Sequence, residues 1–107
     1  MNKKTAKALE GSIKKWVNIR DNGGKDKTTR NCPLCELFYY EALCGDCPVA
    51  LRTNDDCCGE TPYILWVEHH EQKHVAVAKD LDGLKVHCPE CKELADKEVK
   101  FLESLRE

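Results

Sequence analysis

The chain has 107 residues, 8 of them cysteine, and carries 17 Lys+Arg against 19 Asp+Glu for a formal net charge of −2. That length admits one domain, residues 1–107, and excludes a large cofactor-binding fold joined to a separate substrate domain. The hydrophobic fraction of 41% counts the cysteines, so aliphatic and aromatic core material is thin, and either disulfides or metal sites are expected to supplement it.

Residues 1–20 place Ala6, Leu9, Ile13, Trp16, Val17 and Arg20 at helical spacing with lysines between them, the pattern of a basic amphipathic helix. Asp21-Asn22-Gly23-Gly24 ends it and opens a polar loop to Arg30. Residues 31–60 form a cysteine-rich region dense in turn formers, with room for a short helix over 34–43. The helical region 61–107 begins at Thr61-Pro62, where threonine caps and proline takes the first helical position, at which its missing N–H costs nothing.

Tyr63-Ile64-Leu65-Trp66-Val67 opens that helix apolar on nearly all sides and Glu68 to His74 turns it polar, so its start is predicted buried and its end exposed. Residues 75–78 either extend the helix or pair as a short strand with Leu84-Lys85-Val86 in a β-hairpin. From Pro89 to Arg106, Leu94, Ala95, Val99, Leu102 and Leu105 recur at helical intervals, giving a last amphipathic helix that starts at a cysteine pair. The expected fold class is mainly α: three to four helices around a cysteine-rich, metal-stabilised centre.

Charge is unevenly divided. Residues 1–30 hold nine Lys/Arg and three Asp/Glu, a net of +6, and residues 31–107 hold eight and sixteen, a net of −8. The basic segment over residues 3–30 either rests on nucleic-acid phosphates or covers the acidic remainder of its own domain, and the absence of a base-reading motif favours the second. Neither the apolar run nor the small-residue cleavage site of a secretory signal follows the charged start, and the longest apolar run, Tyr63 to Val67, falls far short of the roughly 20 residues of a membrane span. A cytoplasmic protein without a membrane role is expected, and in a reducing cytosol paired cysteines read as metal ligands or redox groups rather than structural disulfides.

Three Cys-x2-Cys units stand out: Cys32-Pro33-Leu34-Cys35, Cys44-Gly45-Asp46-Cys47 and Cys88-Pro89-Glu90-Cys91. Two intervening residues let both sulfurs reach one ion while main-chain N–H groups of the tight turn point at the thiolates, and tetrahedral zinc takes four such donors. Cys32, Cys35, Cys44 and Cys47 can complete one zinc site from a single short stretch. Cys88 and Cys91, at a helix start that favours thiolate, suggest a second site completed by Cys57 or Cys58 and a histidine from His69, His70, His74 or His87.

Of these, His70 and His74 are one helical turn apart and can face the same ion. The plain alternative puts the histidines on a solvated helix face. In another partition Cys32 and Cys35 join Cys88 and Cys91. One or two Zn²⁺ ions are expected, with an iron–sulfur cluster as the alternative for four thiolates, since Cys47-Pro48 matches the Cys-Pro that ends many cluster-binding runs.

The string Trp16, Asn31-Cys32-Pro33-Leu34-Cys35, Cys44-Gly45-Asp46-Cys47-Pro48-Val49, a cysteine at 57 or 58, Thr61-Pro62-Tyr63 with Trp66, and the ending Phe101-Leu102-Glu103-Ser104-Leu105 resembles a family of small cysteine-rich bacteriophage and prophage proteins without an assigned activity. The resemblance covers most of the chain from Trp16 onward and is most specific over residues 31–66. It implies a virus-encoded protein in the cytoplasm of an infected bacterium and supplies no catalytic residues. The order Cys32/Cys35, His69-His70, Cys88/Cys91 is also similar to that of HNH nucleases, but Glu68 stands where that family usually has aspartate and no asparagine follows Asn54. The expectation is therefore a zinc-binding interaction protein, not an enzyme, whose partner is a host or viral protein, with nucleic-acid binding and a degenerate nuclease as alternatives.

Overall fold

The computed structural model describes residues 3–27, 32–34, 61–74 and 83–106. Three helices make up the mainly α architecture of these residues: α1 (Lys3–Asn22), α2 (Pro62–Lys73) and α3 (Pro89–Glu103). The expectations that fall on residues 35–60 and 75–82, including a short helix over 34–43 and a hairpin strand at 75–78, lie outside the described residues. No helix among the described residues is long and apolar enough to cross a membrane.

Helix α1 buries Thr5, Leu9, Ser12, Ile13, Trp16 and Ile19. This is the predicted apolar stripe rotated slightly, because two small polar residues share it. Ser12 is tolerated there because its hydroxyl accepts the Leu34 N–H at 3.3 Å and lies 3.9 Å from the Cys32 sulfur, so its hydrogen-bonding capacity is met without water. After Asn22 the chain turns through Gly23 at φ 72°, a left-handed conformation that suits glycine, and the Gly24 N–H folds back onto the Asn18 carbonyl at 3.1 Å.

Helices α1 and α3 form the apolar seam. Leu9, Ile13, Trp16 and Ile19 meet Leu94, Ala95, Val99, Leu102 and Leu105 in one buried cluster. Ion pairs hold the seam at both ends: Arg106 grips Glu10 through two hydrogen bonds of 2.6 and 2.7 Å, and Arg20 reaches Asp96 at 2.7 Å. These contacts place the start of α1 beside the end of α3, so the two helices run antiparallel.

Helix α2 joins this seam through aromatic side chains. Trp16 meets Trp66 edge-to-face at 5.2 Å and Tyr63 at 5.8 Å between ring centroids. The predicted burial along α2 holds at buried Trp66 and at exposed Glu68, Glu71, Gln72 and Lys73, and fails beside them. Ile64 and Leu65 near its start are 39% and 47% exposed, whereas His69 and His70 near its end are 8% and 0% exposed. The cause is the docking geometry: the face carrying Trp66, His69 and His70 turns toward α1 and the beginning of α3, and the face carrying Ile64, Leu65, Glu68, Glu71 and Gln72 turns to solvent.

The segment leading into α3 is anchored to the loop after α1 by an antiparallel bridge between Asp26 and Leu84, with N–H···O distances of 2.7 and 3.0 Å. Gly83 precedes it at φ 110°, and a Cβ there would stand 2.7 Å from the Asp26 carbonyl oxygen. Leu84, predicted to pair within a hairpin, pairs here with the loop after α1.

Candidate metal centre

Two helix ends converge on one point, and local sequence explains both. Cys88 is the N-cap of α3, extended at φ −155° and ψ 167°, followed by Pro89 at the first helical position. Its sulfur takes the place of the usual capping oxygen and accepts the Cys91 N–H at 3.4 Å. The Cys88-Pro89-Glu90-Cys91 turn thereby holds its two sulfurs 3.5 Å apart. Thr61-Pro62 starts α2 in the same way, with the Thr61 hydroxyl accepting from Tyr63 N at 3.2 Å.

At the other end, His74 is the C-cap of α2 with non-helical φ −132° and ψ 47°. Leaving the helix there swings its ring away from the row that His70 occupies and toward His69. His69, His74, Cys88 and Cys91 then each offer one nitrogen or sulfur, and the four atoms all lie within 4.8 Å of one another. Cys88 Sγ is 3.3 Å from His69 Nε2 and 3.5 Å from His74 Nε2, and Cys91 Sγ is 3.4 Å from His74 Nε2.

With the 3.5 Å between the two sulfurs, these lengths match four of the six edges of a coordination tetrahedron, and the other two lie within 4.8 Å. Zinc bonds of about 2.0–2.1 Å to nitrogen and 2.3 Å to sulfur give donor–donor edges of about 3.3–3.8 Å. The separation suits a single ion better than a multi-iron cluster, whose ligands must spread around several metal atoms. Two thiolates and two neutral imidazoles also balance a dication, which matters for a group as enclosed as His69 and Cys91.

His70 borders this set, its Nε2 3.9 Å from Cys91 Sγ, but its ring is engaged by the main chain. Its Nδ1 and Nε2 each lie 2.8 Å from a main-chain carbonyl oxygen, those of Trp66 and Lys85, and its ring packs on Trp66 at 4.3 Å. The pairing of His70 with His74 that helical spacing suggests is thus replaced by His69 with His74. The signal for this was in the sequence: His70 follows Trp66 by four residues and shares its buried row.

Outer groups act on the donors. His69 turns Nε2 toward Cys88 and Nδ1 toward the exposed Glu90 carboxylate, which at 3.7 Å lies beyond hydrogen-bond reach and acts on the ring only by its charge. Desolvation pushes the Cys91 thiol above its ordinary value, against which main-chain N–H groups of His87 and Cys88 favour the thiolate. Burial, then the neighbouring His69 and His70, lowers His74. An uncharged His74 presents the lone pair a metal needs, and a bound dication would drive Cys91 to the thiolate.

Of the cysteines singled out by spacing, Cys88 and Cys91 lie in this group. Cys32 packs against the core beside Ser12 and stands outside it. Cys35, Cys44, Cys47 and Cys57 fall outside the described residues. Sequence spacing did not point to the Glu90 charge beside His69 or to Glu98, which is buried between the helices with its Oε2 making no hydrogen bond among the described residues. Burial first, then the nearby Cys32, raises the Glu98 carboxyl to about 8. Its position was legible, since 98 lies four residues from both Leu94 and Leu102, but its residue type hid it. Comparison with protein families, curated proteins and solved structures finds no match for this chain.

Proposed function

We propose that this is a small zinc-binding protein in which His69, His74, Cys88 and Cys91 hold one structural zinc that fastens α2 to α3, and that the metal-braced domain works by binding a partner rather than by catalysis. The observation that carries the reading is the closure of four nitrogen and sulfur donors from two helix ends within 4.8 Å. Four protein donors fill a tetrahedron, which is the pattern of structural zinc, whereas catalytic zinc keeps a position for water. The engagement of both His70 ring nitrogens with carbonyl oxygens weighs against that residue serving as the free base of a nuclease. The motif resemblance over residues 31–66 supports a viral origin and a setting in the bacterial cytoplasm.

Native mass spectrometry of the parent and of the Cys88→Ser/Cys91→Ser variant tests the reading. The variant is expected to carry one zinc fewer than the parent, and both should be colourless. Equal zinc content in the two proteins, or a brown iron–sulfur spectrum lost in the variant, would overturn it.

A further inference from the structure

The outer face of α1 carries a row of exposed lysines. Lys3, Lys7 and Lys14 lie within an arc of about 40° at 100° per residue, opposite the buried stripe, and Lys4 flanks them. All four are exposed, and none forms an ion pair among the described residues. The acids that might neutralise this face are engaged elsewhere. Glu10 is held by Arg106, Asp21 by Arg20, and Asp26 by Lys15.

Two of the three α3 lysines supply the contrast: Lys97 pairs with Glu93 and Lys100 with Asp96, each one turn back, while Lys92 forms no ion pair among the described residues. The basic residues of α1 therefore divide into two sets. Lys15 and Arg20 serve the protein's own acids, as the sequence suggested for the whole segment, while Lys3, Lys4, Lys7 and Lys14 project an unbalanced positive field into solvent.

We infer that this face docks on the phosphate backbone of a nucleic acid. From residue 3 to residue 14 the row spans about 16 Å at 1.5 Å per residue, room for about five phosphates at 3.4 Å per strand step. Glu10, Gly11 and Asn18 share this face with the lysines, Glu10 being held by Arg106, and none of them supplies an apolar wedge for a bilayer. Lysine ammonium groups act as point charges on phosphate, so the contact is independent of base sequence. This names the partner class of the binding module proposed above and uses no metal ligand, so the two readings fail separately.

The test is fluorescence anisotropy of the full chain with a short labelled duplex and the matching single strand, titrated between about 50 and 200 mM salt. Three to four phosphate contacts predict a log–log salt slope of about −3 on the duplex, or about 60-fold weaker binding over that range. Lys3→Ala/Lys7→Ala/Lys14→Ala should abolish binding with circular dichroism unchanged. Lys92→Ala/Lys97→Ala/Lys100→Ala, an equal change in charge, should stay within about two-fold of the parent because its lysines lie off the face. Cys88→Ser/Cys91→Ser reports on the zinc reading alone in the native mass spectra. No binding at the lowest salt, undiminished binding by the α1 variant, or equal affinity for poly-glutamate or anionic lipid vesicles would each overturn the inference.

Discussion

The α1–α3 seam and the α2–α3 junction are built by different physics. Along the seam, leucine, isoleucine, valine and tryptophan side chains from two long helices interlock, and arginine–carboxylate pairs close both ends. At the junction, a 12-residue helix brings Trp66 as its one fully buried apolar side chain, and the contact is completed by His69, His74, Cys88 and Cys91. Burying apolar area stabilises the seam at about 25 cal/mol per Å². A helix of three turns cannot gather the same area, and four converging donors give the junction a metal-dependent substitute. Trp16 links the two regions, since its ring touches Trp66, which in turn stacks on His70 beside the cluster.

Removing the metal should break this contrast most severely. Structural zinc binding is worth about 10–16 kcal/mol in small domains, comparable to the whole net stability of about 5–15 kcal/mol typical of a domain. After chelation, amide hydrogen exchange should lose protection in the last turn of α2 and the first turn of α3, while α1 and the stretch from Leu94 to Leu102 keep theirs the longest. Uniform loss across all three helices would show the seam to be equally metal-dependent.

Trp16→Ala acts from the other side. Deleting a buried tryptophan costs about 3–5 kcal/mol, so denaturant unfolding should shift by that amount while the zinc count at saturating metal is unchanged. Loss of zinc in this variant would mean that the junction is not assembled by its own helix ends.

Within the seam, Glu98 gives a pH signature. Its carboxyl is raised to about 8 from an ordinary 4.5, so the folded protein holds a proton that the unfolded chain releases. The stability this contributes is fully present below the unfolded value and is lost as pH rises through about 8. Glu98→Gln should therefore flatten the decline in thermal midpoint from about pH 6 to about pH 8 and stabilise the protein on the alkaline side by about 1–3 kcal/mol. An unchanged slope would mean that Glu98 is ionised in the fold. The smallest effect is expected at Glu90, whose exposed carboxylate lies 3.7 Å from His69 Nδ1: Glu90→Gln should weaken zinc binding by at most about five-fold through the lost charge, measured by competition with a chelator.

What the sequence disclosed follows the same division. Helices α1 and α3 were legible because their apolar residues recur at helical spacing, and both capped starts were legible because Thr61-Pro62 and Cys88-Pro89 are local signals. Partnership was harder to read. The apolar-to-polar run along α2 disclosed buried Trp66 and exposed Glu71 to Lys73 but misplaced Ile64, Leu65, His69 and His70, because it says nothing about which face of a short helix meets a donor cluster. The choice of His69 over His70 depends on a C-cap dihedral at His74 and on the carbonyl oxygens of Trp66 and Lys85 that flank the His70 ring, and the second of these comes from a segment fifteen residues away. Spacing within a motif constrains only local geometry, and this centre is closed by tertiary contact.

The central claim, that one ion is held by this particular donor set, is tested most directly by exchanging the metal for NMR-active cadmium and correlating it with ligand protons. A single cadmium resonance coupled to the Hβ protons of both Cys88 and Cys91 and to the ring protons of both His69 and His74 is the predicted result. Coupling of Cys88 and Cys91 to a cadmium shared with Cys32 and Cys35, without histidine, would contradict it.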